Sequence, residues 1–169
     1  VGIIGTSSMA ENFHLPGLAN HPRAELVAVC GRNQERAGEI AGKFGVPKVY
    51  ADYRKMIEQG ELEAVVIATP DDLHHSMVME ALDAGLHVVC EKPLAFTVDQ
   101  AREMCEKAEE KGVKNMVFFT QRWFPQRRFL REMVDEGYVG RCLDAHFYLF
   151  AGFGRGSLAA FPPWTYDPQ

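Results

Sequence analysis

Six short apolar runs, separated by stretches of helical periodicity, constrain this chain most. They are Val1 to Ile4, Ala24 to Cys30, Val46 to Tyr50, Ala64 to Ala68, Leu86 to Cys90 and Asn115 to Thr120. Between them, apolar residues recur at helical spacing, as in Ala37, Ile40, Ala41 and Phe44, or Ala101, Met104, Cys105 and Ala108. Asn33, Asp52 and Thr97 are helix-start signals, and Gly45, Gly85 and Gly112 are stop signals. Apolar strands joined by such short connections form right-handed βαβ units, which build an open parallel sheet covered by helices on both faces. The expected fold class is α/β, a doubly wound parallel sheet over residues 1–120; a flavodoxin-like sheet or part of a TIM barrel shares the pattern. Pro16 removes a ladder hydrogen bond, so the helix after the first strand is expected to kink or end there.

Past Thr120 the pattern changes. Pro125 suits the first position of a helix bearing Phe129, Leu130, Met133 and Val134, stopped at Gly137. Cys142 to Phe150 alternates with period two, which predicts a strand with unlike faces and the start of an antiparallel sheet. One helix and one strand cannot close a core, and the chain opens at Val1 directly on a core strand. Residues 121–169 are therefore expected to be the truncated start of a second domain, and the chain a fragment. The predicted strand presents aromatics on both faces, a surface that truncation would expose to aggregation or swapping.

Charge and cysteine usage exclude several classes. A net charge of −5 argues against nucleic acid as a partner. No run approaches the roughly 18 apolar residues of a membrane helix. Cys30, Cys90, Cys105 and Cys142 form no C-x-x-C pair and fall mostly in apolar stretches. Buried thiols in a reducing, cytoplasmic setting are expected, with neither a disulfide framework nor a metal site.

In a doubly wound sheet, ligands bind beyond the carboxyl ends of the strands. Gly5-Thr6-Ser7-Ser8-Met9-Ala10 follows the first strand and matches the dinucleotide pattern G-x-G-x-x-G/A except at Ser7. Such a turn aims N–H groups and a helix dipole at a pyrophosphate. Ser7 crowds that site slightly and offers it a hydroxyl donor; an ordinary βα turn is the alternative. Arg32 stands where NAD-specific sheets carry an acid, and a guanidinium there suits the 2′-phosphate of NADP, although a solvent-facing arginine also fits. Lys92, between Glu91 and Pro93, is placed to bind a substrate oxygen and relay a proton, or is simply a solvated loop lysine.

The segments GIIGTSSMA, AVVIATPDDLH, ALDAGLHVVCEKPLA and DEGYVGR together resemble the Gfo/Idh/MocA oxidoreductases, and the E-K-P run carries most of that resemblance. The resemblance implies a Rossmann domain at residues 1–120 and the start of a substrate and oligomerisation domain at 121–169, the open face of whose sheet would pair with another subunit in a homo-oligomer. It implies NADP, or else NAD, as cofactor, with Gly5, Thr6, Ser7, Ser8 and Met9 at the pyrophosphate and Arg32 at the adenosine end. Thr69, Pro70 and His74 would follow the cofactor along the fourth strand, Glu91 would lie on the nicotinamide side, and Lys92 would be the catalytic lysine. Arg122, in Q-R-W-F-P, takes a secondary cofactor or substrate role by similarity to N-x-R-[FY]-x-P. His74 and His75 also read as helix-surface residues, and His87 as structural.

The chain departs from the family in stopping before the segment whose Asp and His complete the substrate site, and in having Trp164-Thr165 where similar reductases have Trp-Arg. The implied activity is hydride transfer between a nicotinamide and a small sugar, polyol or related carbonyl compound. A non-catalytic NADP-sensing module, and an enzyme using bound cofactor for transient oxidation during hydrolysis or epimerisation, are the alternatives.

Overall fold

The computed structural model describes residues 1–146 and Tyr148. They belong to two units, Val1–Phe124 and Pro125–Gln169. The first holds a six-stranded parallel sheet: β1 (Gly2–Ile4), β2 (Ala28–Cys30), β3 (Lys48–Tyr50), β4 (Ala64–Ile67), β5 (His87–Glu91) and β6 (Asn115–Phe118), in the order β3-β2-β1-β4-β5-β6. This is the doubly wound arrangement, and the direction of winding reverses between β1 and β4.

Strand alternation sends neighbouring residues into two cores. Ile4, Cys30, Val65, Ile67, Val88 and Cys90 pack on one face with residues of α3 (Tyr53–Gln59), α4 (His74–Asp83) and α5 (Val98–Lys111). Ile3, Val29 and Val66 pack on the other with Leu15 of α1 (Leu15–Ala19) and Ile40 of α2 (Gln34–Phe44). Both faces are buried, which is why these strands read as continuous apolar runs.

The helix ends follow their signals. Asn33 Oδ1 accepts from Arg36 N (3.0 Å), an Asp52 carboxylate oxygen from Arg54 N (2.9 Å) and Thr97 Oγ1 from Gln100 N (3.2 Å). Gly45, Gly85 and Gly112 all have positive φ. Strand lengths differ from expectation. Of Ala24 to Cys30, only Ala28–Cys30 joins the ladder, because its partner β1 is three residues long.

The first helix is the main local departure. It begins at Ser8, passes through a π turn at Ala10–His14 and continues as α1, so Pro16 does not end it. Pro16 lies just past the π turn, where the α-helical ladder is already interrupted. The wider π turn places Ala10, His14 and Leu15 all in the interior. The cysteine expectation is half met: Cys30 and Cys90 are buried, whereas Cys105 and Cys142 are exposed. Cys105 lies one position past the buried Met104, a step of about 100° around the helix.

In the second unit, α6 (Pro125–Asp135) starts at the expected proline, and Gly137 has a φ of 80°. Phe129, Leu130 and Val134 are exposed. Cys142 to His146 are not in a strand, because no partner among the described residues offers them a ladder. The rest of the predicted strand lies outside the described residues except for Tyr148, as does Trp164-Thr165. No helix among the described residues is long and apolar enough to cross a membrane, and no cluster there has the composition of a metal site.

Candidate functional site

A cleft of about 610 Å³ opens at the carboxyl ends of the strands on both sides of the β1–β4 reversal. Its floor is the turn after β1. Gly5 has a φ of 114°, and a Cβ there would lie 2.4 Å from Ala68 O. Glycine is required on both counts. At the next turn, a Cβ on Gly31 would fall 2.6 Å from Thr6 Cγ2, so the turns after β1 and β2 also meet closely. Gly5, Thr6 and Ser7 line the cleft, and the first-turn N–H groups beyond them belong to Ser8 and Met9.

Ser7 has a different task from the one expected. Its hydroxyl donates to Ala68 O (3.0 Å) and accepts from Ala10 N (3.3 Å). It caps the helix and ties the β1 turn to the end of β4. The donor that the sequence offered to a phosphate is committed within the protein.

At one end, Arg32 and Asn33 line the cleft beyond β2, and Arg32 is exposed. Tyr53 faces them from the start of α3. Its hydroxyl donates to Glu80 Oε1 (2.7 Å), which also accepts from Arg54 Nη2 (2.6 Å). Burial, then the Glu80 carboxylate, pushes the Tyr53 hydroxyl up to about 12. Beneath the cleft, burial raises the Cys30 thiol to about 11. Thr69, Pro70, Leu73 and Met77 line the wall that follows β4.

Lys92 directly follows the neighbouring strand, β5. Ile67 pairs with Cys90 in register, so continuing the pairing brings Lys92 level with Thr69, beside the cleft. Lys92 is exposed, whereas Glu91 is buried. Glu91 Oε1 accepts from His14 Nε2 at 2.7 Å, and Oε2 accepts from the Lys92 backbone N–H at 3.2 Å. The carboxylate therefore holds the main chain at Lys92. The His14 ring also packs on Phe118 of β6, with centroids 4.5 Å apart.

His74 is fully buried, neither on the helix surface nor lining the cleft. Its Nδ1 lies 2.7 Å from Pro93 O and its Nε2 3.1 Å from Thr69 O. Carbonyl oxygens only accept, so the ring donates, from one nitrogen when neutral and from both when charged. His75 meets Glu103 at 2.8 Å, and His87 Nδ1 accepts from Lys114 N at 3.2 Å. Arg122 lies in an exposed 3₁₀ turn, Thr120–Trp123, outside the cleft lining.

The cleft thus gathers Gly5, Thr6, Ser7, Arg32, Thr69 and Pro70 in its lining and leaves out Ser8, Met9, His74, Glu91, Lys92 and Arg122. Sequence reasoning missed His14 and Tyr53. A glutamate ending a buried strand needs a buried partner, and that need was the signal for His14.

The glycine turn, the cleft over the strand reversal and a guanidinium at its β2 end fit a dinucleotide. A family model for the Gfo/Idh/MocA oxidoreductases, described as an oxidoreductase family with an NAD-binding Rossmann fold, matches residues 1–119. The chain belongs to this family. It is 39% identical over 162 residues to an inositol 2-dehydrogenase of Rubrobacter xylanophilus, covering 93% of this chain and 44% of that protein. Among solved Gfo/Idh/MocA-like structures, a 3-ketoreductase from Actinomadura kijaniata in complex with TDP-benzene and NADP matches with a TM-score of 0.74 and 34% identity. That match covers 80% of this chain and 43% of the other. A scyllo-inositol dehydrogenase from Lactobacillus casei with bound NAD(H) and scyllo-inositol matches at 0.76 and 25% identity, covering 82% and 41%. The chain spans less than half the length of these relatives.

Proposed function

We propose that this Gfo/Idh/MocA chain is the cofactor-binding part of an NAD(P)-dependent oxidoreductase that moves hydride between nicotinamide and a sugar, polyol or related carbonyl compound, with NADP preferred. The observation that carries this reading is the cleft over the β1–β4 reversal, with Arg32 at one end and Lys92 just past the end of the adjoining strand. The names of the inositol 2-dehydrogenase and of the 3-ketoreductase seen with NADP support the substrate class and the cofactor.

When bound, the nicotinamide nucleotide supplies the hydride acceptor or donor. The chain's own residues do the rest. Gly5 keeps the β1 turn close to the end of β4, which would leave room for a pyrophosphate, and the Ser8 and Met9 N–H groups would bind its charge. The Arg32 guanidinium would hold the 2′-phosphate through charge-assisted bonds. Lys92 Nζ hydrogen-bonds the substrate oxygen; in reduction that oxygen gains a proton as its carbon gains hydride, and in oxidation both leave. Arg122 takes a secondary place at the cofactor or substrate. A small molecule, not nucleic acid or a membrane, is the partner of this acidic chain, and the whole protein works as a cytoplasmic homo-oligomer.

Titration with NADPH and NADH, followed by the fluorescence of the reduced nicotinamide, tests the pocket. NADPH is expected to bind more tightly, and Arg32→Asp to reverse the preference; an unchanged preference removes Arg32 from cofactor selection. In the whole protein, Lys92→Ala is expected to lower kcat by at least about 100-fold, the low end of acid–base effects. Wild-type turnover in that variant removes Lys92 from the mechanism.

A further inference from the structure

Two imidazoles from different helical segments flank Lys92. His14, in the π turn after β1, reaches the carboxylate of the preceding residue, Glu91, whose other oxygen holds the Lys92 backbone N–H. His74, at the start of α4, reaches the carbonyl of the following residue, Pro93, and that of Thr69 on the facing loop. Both rings are buried, and neither lines the cleft. Lys92 is the exposed residue between two anchored neighbours.

We infer that His14 and His74 form a two-sided clamp that fixes the Glu91–Pro93 main chain and so sets where Lys92 Nζ can reach. They are positioning residues; neither touches the reacting atoms. A lysine side chain has four rotatable carbons, so its head is placed only as well as its backbone is held. The anchors differ in kind. His14 holds the segment to the helix that leaves the β1 turn, and His74 lies between the segment's Pro93 carbonyl and the Thr69 carbonyl of the cleft wall, donating to one of them when neutral and to both when charged. Through the two together, Lys92 is referenced to the helix that starts at the cleft floor and to the cleft wall itself. The catalytic meaning of the clamp rests on the role proposed for Lys92; the mechanical claim does not.

Four variants of the full chain test it. His14→Leu and His74→Leu remove the donors. His14→Gln and His74→Asn restore a donor near the positions of Nε2 and Nδ1 respectively. The first readout is amide hydrogen exchange. Each leucine variant is expected to speed exchange in residues 91–95 by at least about tenfold, with β1 and β2 protected as before, and each amide variant to restore protection. The second readout is kinetic, in the whole protein. The leucine variants are expected to lower kcat about tenfold or more while the KM for cofactor stays within about threefold, because small misplacements of a reacting group are costly. Exchange that rises evenly across the sheet overturns the clamp, and so does an unchanged kcat in a folded leucine variant when Lys92→Ala does lower turnover. Local loosening with rescue supports it even if Lys92→Ala leaves turnover intact, an outcome that removes the proposed role of Lys92 and not the clamp. Should the leucine variants fail to fold, the comparison of His14→Gln and His74→Asn with wild type decides: protection of residues 91–95 retained by both supports the clamp, and its loss from both overturns the donor requirement.

Discussion

Ser7 shows how one residue can depart from a pattern and still build the site. The pattern asks for glycine because a side chain there crowds a phosphate. In this chain the hydroxyl folds back, donating to Ala68 O and accepting from Ala10 N. It thereby holds the β1 turn against the end of β4, where Gly5 already makes the closest approach. Ser7→Ala is expected to cost about 1 kcal/mol of stability, the usual loss for a capping hydroxyl. NADPH affinity should change by less than about threefold, since fixed backbone N–H groups carry the phosphate contacts. Urea denaturation and a cofactor titration on the same variant check both halves. A tenfold loss of affinity at unchanged stability would show that the hydroxyl serves the phosphate after all.

Among the elements, those specified by local chemistry were legible. The caps at Asn33, Asp52 and Thr97 and the glycine stops at Gly45, Gly85 and Gly112 all formed, because each depends on a side chain or a backbone freedom within a few residues. The doubly wound parallel sheet also followed from short connections, although its strand order was not read from the sequence. Elements that depend on distant partners were less legible. β2 is shorter than its apolar run because β1 limits the ladder, and Cys142 to His146 alternate correctly but have no partner strand among the described residues. The π turn was hidden because apolar periodicity cannot register one added residue, and the visible signal, Pro16, pointed to an ending. The site divides in the same way. Residues directly following strands were found by position, whereas His14 enters only through a contact across 77 residues of chain. His74 was found for a different reason from the one its geometry gives: it lies under the strand ends and not along the cleft.

At the scale of the whole sheet, burial on both faces has a consequence for its response to base. Cys30 and Cys90 end adjacent parts of the same core, 4% and 1% exposed. Burial raises their thiols from 9.0 to about 11 and about 12 respectively; nearby carboxylates add to the effect, Asp52 at Cys30 and Glu91 with Asp71 at Cys90. In the unfolded chain both ionise near 9.0, while the folded chain keeps its protons. Above pH 9 the unfolded state therefore binds fewer protons, and stability falls as pH rises. The contribution is fully present below pH 9 and is lost as pH climbs through 11 and 12. A fully developed difference of one proton is worth about 1.4 kcal/mol per pH unit, so each thiol is expected to cost about 1 kcal/mol between pH 9 and 10. Urea midpoints at pH 8, 9 and 10 measure this in wild type and in Cys90→Ala. The variant begins lower at pH 8, because it leaves a cavity beside Val88 and Ile67 in the same core. Its decline with pH should nevertheless be shallower, since one of the two buried thiols has gone. Parallel declines in the two proteins would mean that the thiols do not set the alkaline limit of the sheet, and that groups outside its core do.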